Sequence, residues 1–183
     1  RRHTRYPLVT GVQTCALPIY VLEMDCDPFT RVTTPTTSPV ATSDDLARAA
    51  AILDASRSLV IIAGGGAKDA SAALVSLAET LDAPVVLTGN AKGVVPSRHP
   101  LCAENTLVFG RIQRDIEAAD AVLVVGSELS DTDLYNNGRA LAFTGSVVRI
   151  DIDEAQITRR VTPSVSLVGD ARSEEHTSEL QSR

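Results

Sequence analysis

The chain has 183 residues, with 17 Lys and Arg against 23 Asp and Glu and a formal net charge of −6. Such an acidic balance argues against a nucleic-acid partner, because neutralising phosphates takes clustered Lys and Arg. No apolar run approaches the roughly 20 residues of a membrane span, and with aromatics at 3% a core must be built from Val, Leu, Ile and Ala.

Both ends read as foreign to a fold. Residues 172–183 begin "RSEEHTSELQS", which matches the translation of a sequencing-library adapter. Residues 1–19 match the opposite strand of the same adapter type, through "RRHTR" and "VTGVQTCALPI". The same N-terminal stretch has basic residues before an apolar run, but Thr10, Gln13 and Thr14 interrupt it, so the adapter accounts for it better than a signal peptide does. We expect disordered ends at 1–19 and 172–183, around a single domain. Between them, residues 20–171 keep 12 basic and 20 acidic residues, a net charge of −8. His99 is their one histidine, and Cys26 and Cys102 are their cysteines. Two isolated cysteines make neither a disulfide framework nor a zinc site, which suits a reducing, cytoplasmic setting.

Residues 20–27, "YVLEMDCD", predict a short strand, the end of a preceding domain. Residues 28–42 hold three prolines and six threonines and predict an extended linker. The domain proper is expected over 43–171. It opens on a helix, "SDDLARAAAILDAS", with Ser43 as cap and Leu46, Ala49, Ala50 and Leu53 on one face. "SLVIIA" (58–63) is a continuous apolar run, as in strands buried on both faces of a parallel sheet. A "GGG" turn follows, then a helix that Asp69 can cap, with Ala70, Ala73, Leu74, Leu77, Ala78 and Leu81 at helical spacing. Strands are predicted at 83–88, 121–126, 146–152 and 165–171. Helices are predicted at 111–119 and after residue 153, where Asp153 can cap. This β-α alternation implies an α/β fold, a Rossmann-like doubly wound parallel sheet of five to six strands.

Chemistry should gather at the carboxyl ends of those strands. Gly64, Gly65 and Gly66 end the first strand just before a helix, where glycines let a backbone approach a phosphate. The alternative is a tight turn with no ligand. The turn lacks the full G-x-G-x-x-G spacing, and Lys68-Asp69 is not a phosphate-loop ending. Thr88, Gly89 and Asn90 end the second strand, with Lys92 beyond them. No carboxylate stands there for a ribose. Gly126 ends the third strand and Asp151 the fourth. Glu128, Asp131 and Asp133, with Asn136 and Asn137, offer oxygens for calcium or magnesium, but at no EF-hand spacing, and a solvated loop fits as well. His99 reads as a structural loop residue, with no acidic partner foreseen for it.

Four segments in this order resemble the central domain of thiamine-diphosphate-dependent enzymes, the acetolactate synthase and 2-oxo acid decarboxylase group. They are "GGGAKDASAAL", "APVVLTGNAKGVVPSRHP", "ADAVLVVGSEL" and "VVRIDIDEAQITR". The resemblance covers residues 20–171. It implies that 20–27 closes a pyrimidine-binding domain. It implies a parent that acts on a 2-oxo acid with thiamine diphosphate and Mg2+, as a homodimer or homotetramer, with no nucleic acid or membrane partner. The family's catalytic glutamate and its Gly-Asp-Gly…Asn metal motif are absent here, so cofactor and metal would sit on other domains, this chain would hold no catalytic residue, and it would be inactive alone. Some family members bind FAD on this domain, which would make Gly64, Gly65, Gly66, Thr88, Gly89, Asn90, Gly126 and Asp151 the contacts. Flavin-binding members often carry Gly-x-Arg after the third strand, where this chain has Gly126-Ser127-Glu128. The other readings are a Rossmann-type oxidoreductase domain binding FAD or NAD, and a non-enzymatic nucleotide-binding module.

Overall fold

A computed structural model describes residues 39–136 and 139–172. The expected strand at 20–27, most of the linker and the two adapter-like ends lie outside the described residues, apart from residue 172.

The first helix, α1 (Ser43–Ala55), is capped by Thr42 and not by Ser43. Thr42 is extended (φ −75°, ψ 152°), and its Oγ1 accepts from the Asp45 amide at 3.2 Å, so the helix starts one residue before the position that Ser43 as cap would require. Strand β1 (Leu59–Ala63) is buried along its whole length. A 3-10 turn (Gly65–Ala70) then precedes α2 (Ser71–Thr80). That extra turn removes Asp69 from the capping position expected of it: Ala70 stands at the cap, with no side-chain bond. There follow β2 (Val85–Leu87), α3 (Gly110–Ala118), β3 (Ala121–Val125), a one-turn α4 (Asp131–Leu134), a small antiparallel pair β4 (Tyr135–Asn136) and β5 (Arg139–Ala140), β6 (Ser146–Asp151), α5 (Glu154–Ile157) and β7 (Val165–Val168). Asp153 does cap α5, accepting from the Ala155 amide at 2.9 Å.

The five long strands form one parallel sheet in the order β2-β1-β3-β6-β7. Alternate residues of each strand feed opposite cores. Leu59, Ile61 and Ala63 pack with Leu123, Val148, Ala49 and Leu53 of α1, and Leu74 and Ala78 of α2. Val60 and Ile62 pack with Val122, Val124, Val147 and Ile116 of α3. Helices therefore cover both faces, and the continuous apolar runs are explained: such strands have no solvent side. The outer edge of β2 is closed as well. The Val85 amide donates to Leu101 O, the Ala103 amide to Val85 O and the Leu87 amide to Glu104 O, at 2.8–2.9 Å. Residues 101–104 thus run along β2 as a partial sixth strand, which the sequence pattern did not reveal.

Candidate functional site

The direction in which successive strands are added to the sheet reverses between β1 and β3. The chain moves from β1 out to β2 on one side, then returns to β3 on the other. The carboxyl ends of β1 and β3, Gly64 and Gly126, face each other across that switch point, where open α/β sheets bind ligands. Here the two loops pack directly on each other. The Gly64 amide donates to Val125 O (2.8 Å), the Gly66 amide to Gly126 O (2.9 Å) and the Gly126 amide to Ile150 O (2.8 Å). A Cβ on Gly64 would stand 2.2 Å from Gly126 O, and one on Gly126 (φ +56°) would stand 2.6 Å from the Gly66 Cα. Close approach of backbone to backbone is therefore enough to require these glycines.

The open space lies to one side of that contact. A cleft of about 470 Å³ runs between the 3-10 turn, the loop after β3 and the carboxyl ends of β6 and β7. Of the expected contacts, Gly65, Gly66, Gly126 and Asp151 line it. Gly64 is buried beneath the loop contact. Thr88 is buried, and its amide donates to Ala63 O. Gly89 and Asn90 are exposed at the end of β2, on the far side of β1 and outside the cleft. The eight residues thus split into a group at the cleft and a group beside β2.

The cleft's charge is one-sided. Lys68 is met by Asp69, Glu128, Asp151, Asp153 and Asp170. Asp153 spends one oxygen on the Ala155 amide. Asp151 accepts from the Asp153 amide at 3.1 Å. Asp170 pairs with Arg172 at 2.6 Å, and that guanidinium holds its carboxyl below the ordinary range.

Arg149 beneath the cleft was not foreseen. It sits on β6 with 0% exposure, where a two-faced strand calls for an apolar residue. Its guanidinium donates to the carbonyls of Gln156 (3.0 Å), Ile157 (2.9 Å) and Ser127. Burial pushes its pKa below the usual value, while nearby Asp151 acts in the opposite direction. The arginine inside the apolar run "VVRI" was the available signal.

Other expectations resolve as follows. His99 has an acidic partner after all: its Nε2 lies 3.1 Å from Glu79 Oε1 on α2, a residue 20 positions earlier. The Leu101 amide donates to His99 Nδ1 at 3.3 Å, so in the neutral ring the proton is on Nε2 and points at Glu79. His99 braces its loop against α2. In the acidic loop, Asp133 accepts from the Ser130 amide and hydroxyl, and Asp131 pairs with Arg160. Among the described residues no group of three or more His, Cys, Asp or Glu is gathered for a metal, and no helix is long and apolar enough to cross a membrane.

Comparison with known proteins gives these shapes a family. Residues 46–178 match the family model described as thiamine pyrophosphate enzyme, central domain. A "Probable 2-ketoarginine decarboxylase" of Pseudomonas aeruginosa is 39% identical over 133 residues, 73% of this chain and 23% of that protein. An acetolactate synthase large subunit of Buchnera aphidicola is 31% identical over 134 residues, 71% of this chain and 23% of that protein. A glyoxylate carboligase of Escherichia coli is 29% identical over 166 residues, 84% and 27% respectively. A solved structure, described as a thiamin diphosphate-dependent enzyme from Mycobacterium smegmatis, superposes with a TM-score of 0.66 over 84% of this chain and 30% of that one. At 24% identity it speaks for the fold. The chain spans about a quarter of the length of the curated relatives it matches.

Proposed function

Because the chain belongs to the thiamine pyrophosphate enzyme family, as a central domain, we propose that it is the scaffold layer of an enzyme that acts on 2-oxo acids with thiamine diphosphate and Mg2+. The observation that carries the reading is that the matched residues, 46–178, take in all five strands of the parallel sheet. In such an enzyme the cofactor supplies an electron sink for the carbanion that forms at the substrate's carbonyl carbon. The residues described here have no place for it, and no step is assigned to them. Their work is structural: to hold a layer whose two faces are spent on its own helices, and to present its rim to the rest of the polypeptide. Three exposed large apolar residues, Val108, Phe109 and Ile152, stand at the carboxyl-edge rim, two just before α3 and one just after β6. They favour that rim as the contact with neighbouring domains; a homodimer or homotetramer as the working assembly is what the family resemblance implies. Decarboxylation and carboligation are both represented among the relatives named above.

The experiment is an assay with 2-oxo acids of each type, pyruvate, glyoxylate and 2-ketoarginine, with thiamine diphosphate and Mg2+ added. The expected result is no turnover by this chain, and 2-oxo acid-dependent CO2 release by the enzyme encoded when flanking genomic sequence is restored. Turnover by the 183-residue chain, or flanking sequence that encodes no thiamine-diphosphate domain, overturns the reading.

A further inference from the structure

We propose that the cleft at the carboxyl edge rejects phosphate-bearing nucleotides by charge, so that this central domain carries neither a flavin nor an adenine dinucleotide. The inference rests on the family reading above and concerns the specificity of the cleft that the described residues form beside the fold's switch point. A dinucleotide in an α/β layer is held by its pyrophosphate, on amide groups that a glycine turn leaves free and on the positive end of the following helix. This chain withdraws most of that cradle. The Gly64 and Gly66 amides are spent on Val125 O and Gly126 O, and the Ala67 amide turns back to Gly64 O, so of the three glycines Gly65 alone keeps its amide out of such bonds. Helix α2 starts only at Ser71, after a whole 3-10 turn, so its first amides do not stand at the end of β1.

With those donors withdrawn, side-chain charge decides. A pyrophosphate entering the cleft meets Asp69, Glu128, Asp151, Asp153 and Asp170, with Lys68 in the lining and Arg172, already paired with Asp170, to offset them. Like charges at that distance disfavour binding, and a half-enclosed cleft focuses the field instead of dispersing it. Arg149 lies close, but its two terminal nitrogens serve three backbone carbonyls, and its Nε, which has no hydrogen-bond partner, is buried with the rest of the side chain and sealed from solvent, so it offers no donor to the cleft. Glu128 is the exposed member of the set on the loop that faces the glycine turn. It is the position at which a single reversal of charge alters the cleft most without disturbing a cap or an ion pair.

The test is a titration of the 183-residue chain and of its Glu128→Arg variant with FAD, followed by flavin fluorescence, and with ADP, followed by calorimetry. Unfolding curves establish that both proteins are folded. The expected result is no saturable binding by the unaltered chain up to ~1 mM of either nucleotide, and at least about tenfold tighter binding by Glu128→Arg, weakened by added salt. Binding by the unaltered chain in the micromolar range overturns the proposal. So does a variant that binds no better, since charge would then not be the cause. Neither outcome touches the family reading, which stands or falls on turnover by the restored enzyme.

Discussion

Replacing Gly126 by alanine tests the glycine contact on which the site geometry depends. The residue has φ +56°, a region that costs a non-glycine residue roughly 1–2 kcal/mol. Its new Cβ would stand 2.6 Å from the Gly66 Cα, 2.7 Å from the Gly66 carbonyl carbon and 2.8 Å from the Ala67 nitrogen. All three are backbone atoms, so no rotamer relieves the clash, and the loops must part by about 0.8 Å to restore an ordinary contact of roughly 3.4 Å. Parting strains the 2.9 Å bond from the Gly66 amide to Gly126 O, and a hydrogen bond of this kind is worth about 1 kcal/mol. Together these give a loss near 3 kcal/mol, or a fall in Tm of roughly 10 °C for a domain of this size. The control is Gly65→Ala in the same turn. Its Cβ would lie 3.3 Å from the Asn90 Cβ, a contact that a shift of a few tenths of an ångström in the exposed Gly89 and Asn90 segment relieves, and the expected change is within about 0.5 kcal/mol. Urea unfolding of the two variants beside the unaltered chain measures both. A Gly126→Ala loss below about 1 kcal/mol, or an equal loss in Gly65→Ala, would refute the claim that these glycines serve backbone packing.

Other substitutions read the remaining devices. Arg149→Met should lower stability by about 3 kcal/mol in urea unfolding, because the carbonyls of Ser127, Gln156 and Ile157 lose their donor. Arg149→Lys should not restore it, since one ammonium cannot span both sides of the fork. Thr42→Ala should cost about 1 kcal/mol by the same measurement, whereas Ser43→Ala should change little. Asp120 accepts from the Arg57 and Ser58 amides at 3.0 Å, and those two bonds, in that order, hold its pKa below the ordinary aspartate value. A folded-state pKa below the unfolded one gives stability that is present above pH ~4 and lost as pH falls through the folded value. Asp120→Asn should therefore flatten the acid side of a Tm-against-pH curve below about pH 4, and a variant whose acid limb stays as steep would contradict the assignment.

The layer itself was legible in the chain. "LVIIA" and "AVLVV" are continuous apolar runs because both faces of each strand are covered, and a doubly wound parallel sheet follows once β-α alternation is recognised, although the order of its strands does not. What escaped was set by contacts distant in sequence. Pairing of residues 101–104 with β2 leaves no period, since Leu101, Ala103 and Glu104 satisfy β2's edge through backbone atoms. Glu79 and His99 meet only because α2 and the following loop lie side by side. Asp69 had the chemistry of a cap but not the place, because the number of turns between β1 and α2 is fixed by how Gly64 and Gly66 seat on Gly126. The expected contacts divided for the same reason. All eight stand at the carboxyl edge, as the topology requires, but β1 separates the Thr88–Asn90 group from the cleft.

Arg149 connects these observations. A charge buried in a two-faced strand is tolerated only while its partners stay in place. Those partners are Ser127, on the loop that packs against the glycine turn, and Gln156 and Ile157, on the helix that forms the opposite wall. Separating the two walls would strand a guanidinium in the core, so loop and helix move as one piece or not at all. A cleft with mobile walls could turn its carboxylates outward and admit an anion, much as a hinged site closes on its ligand. Here Asp151 and Asp153 are tied to the backbone beside that helix, and the loop bearing Glu128 is pinned through Ser127. The buried arginine thus ties together the two walls that carry Glu128, Asp151 and Asp153, so a change of side chain at Glu128 is the direct way to open the site to phosphate.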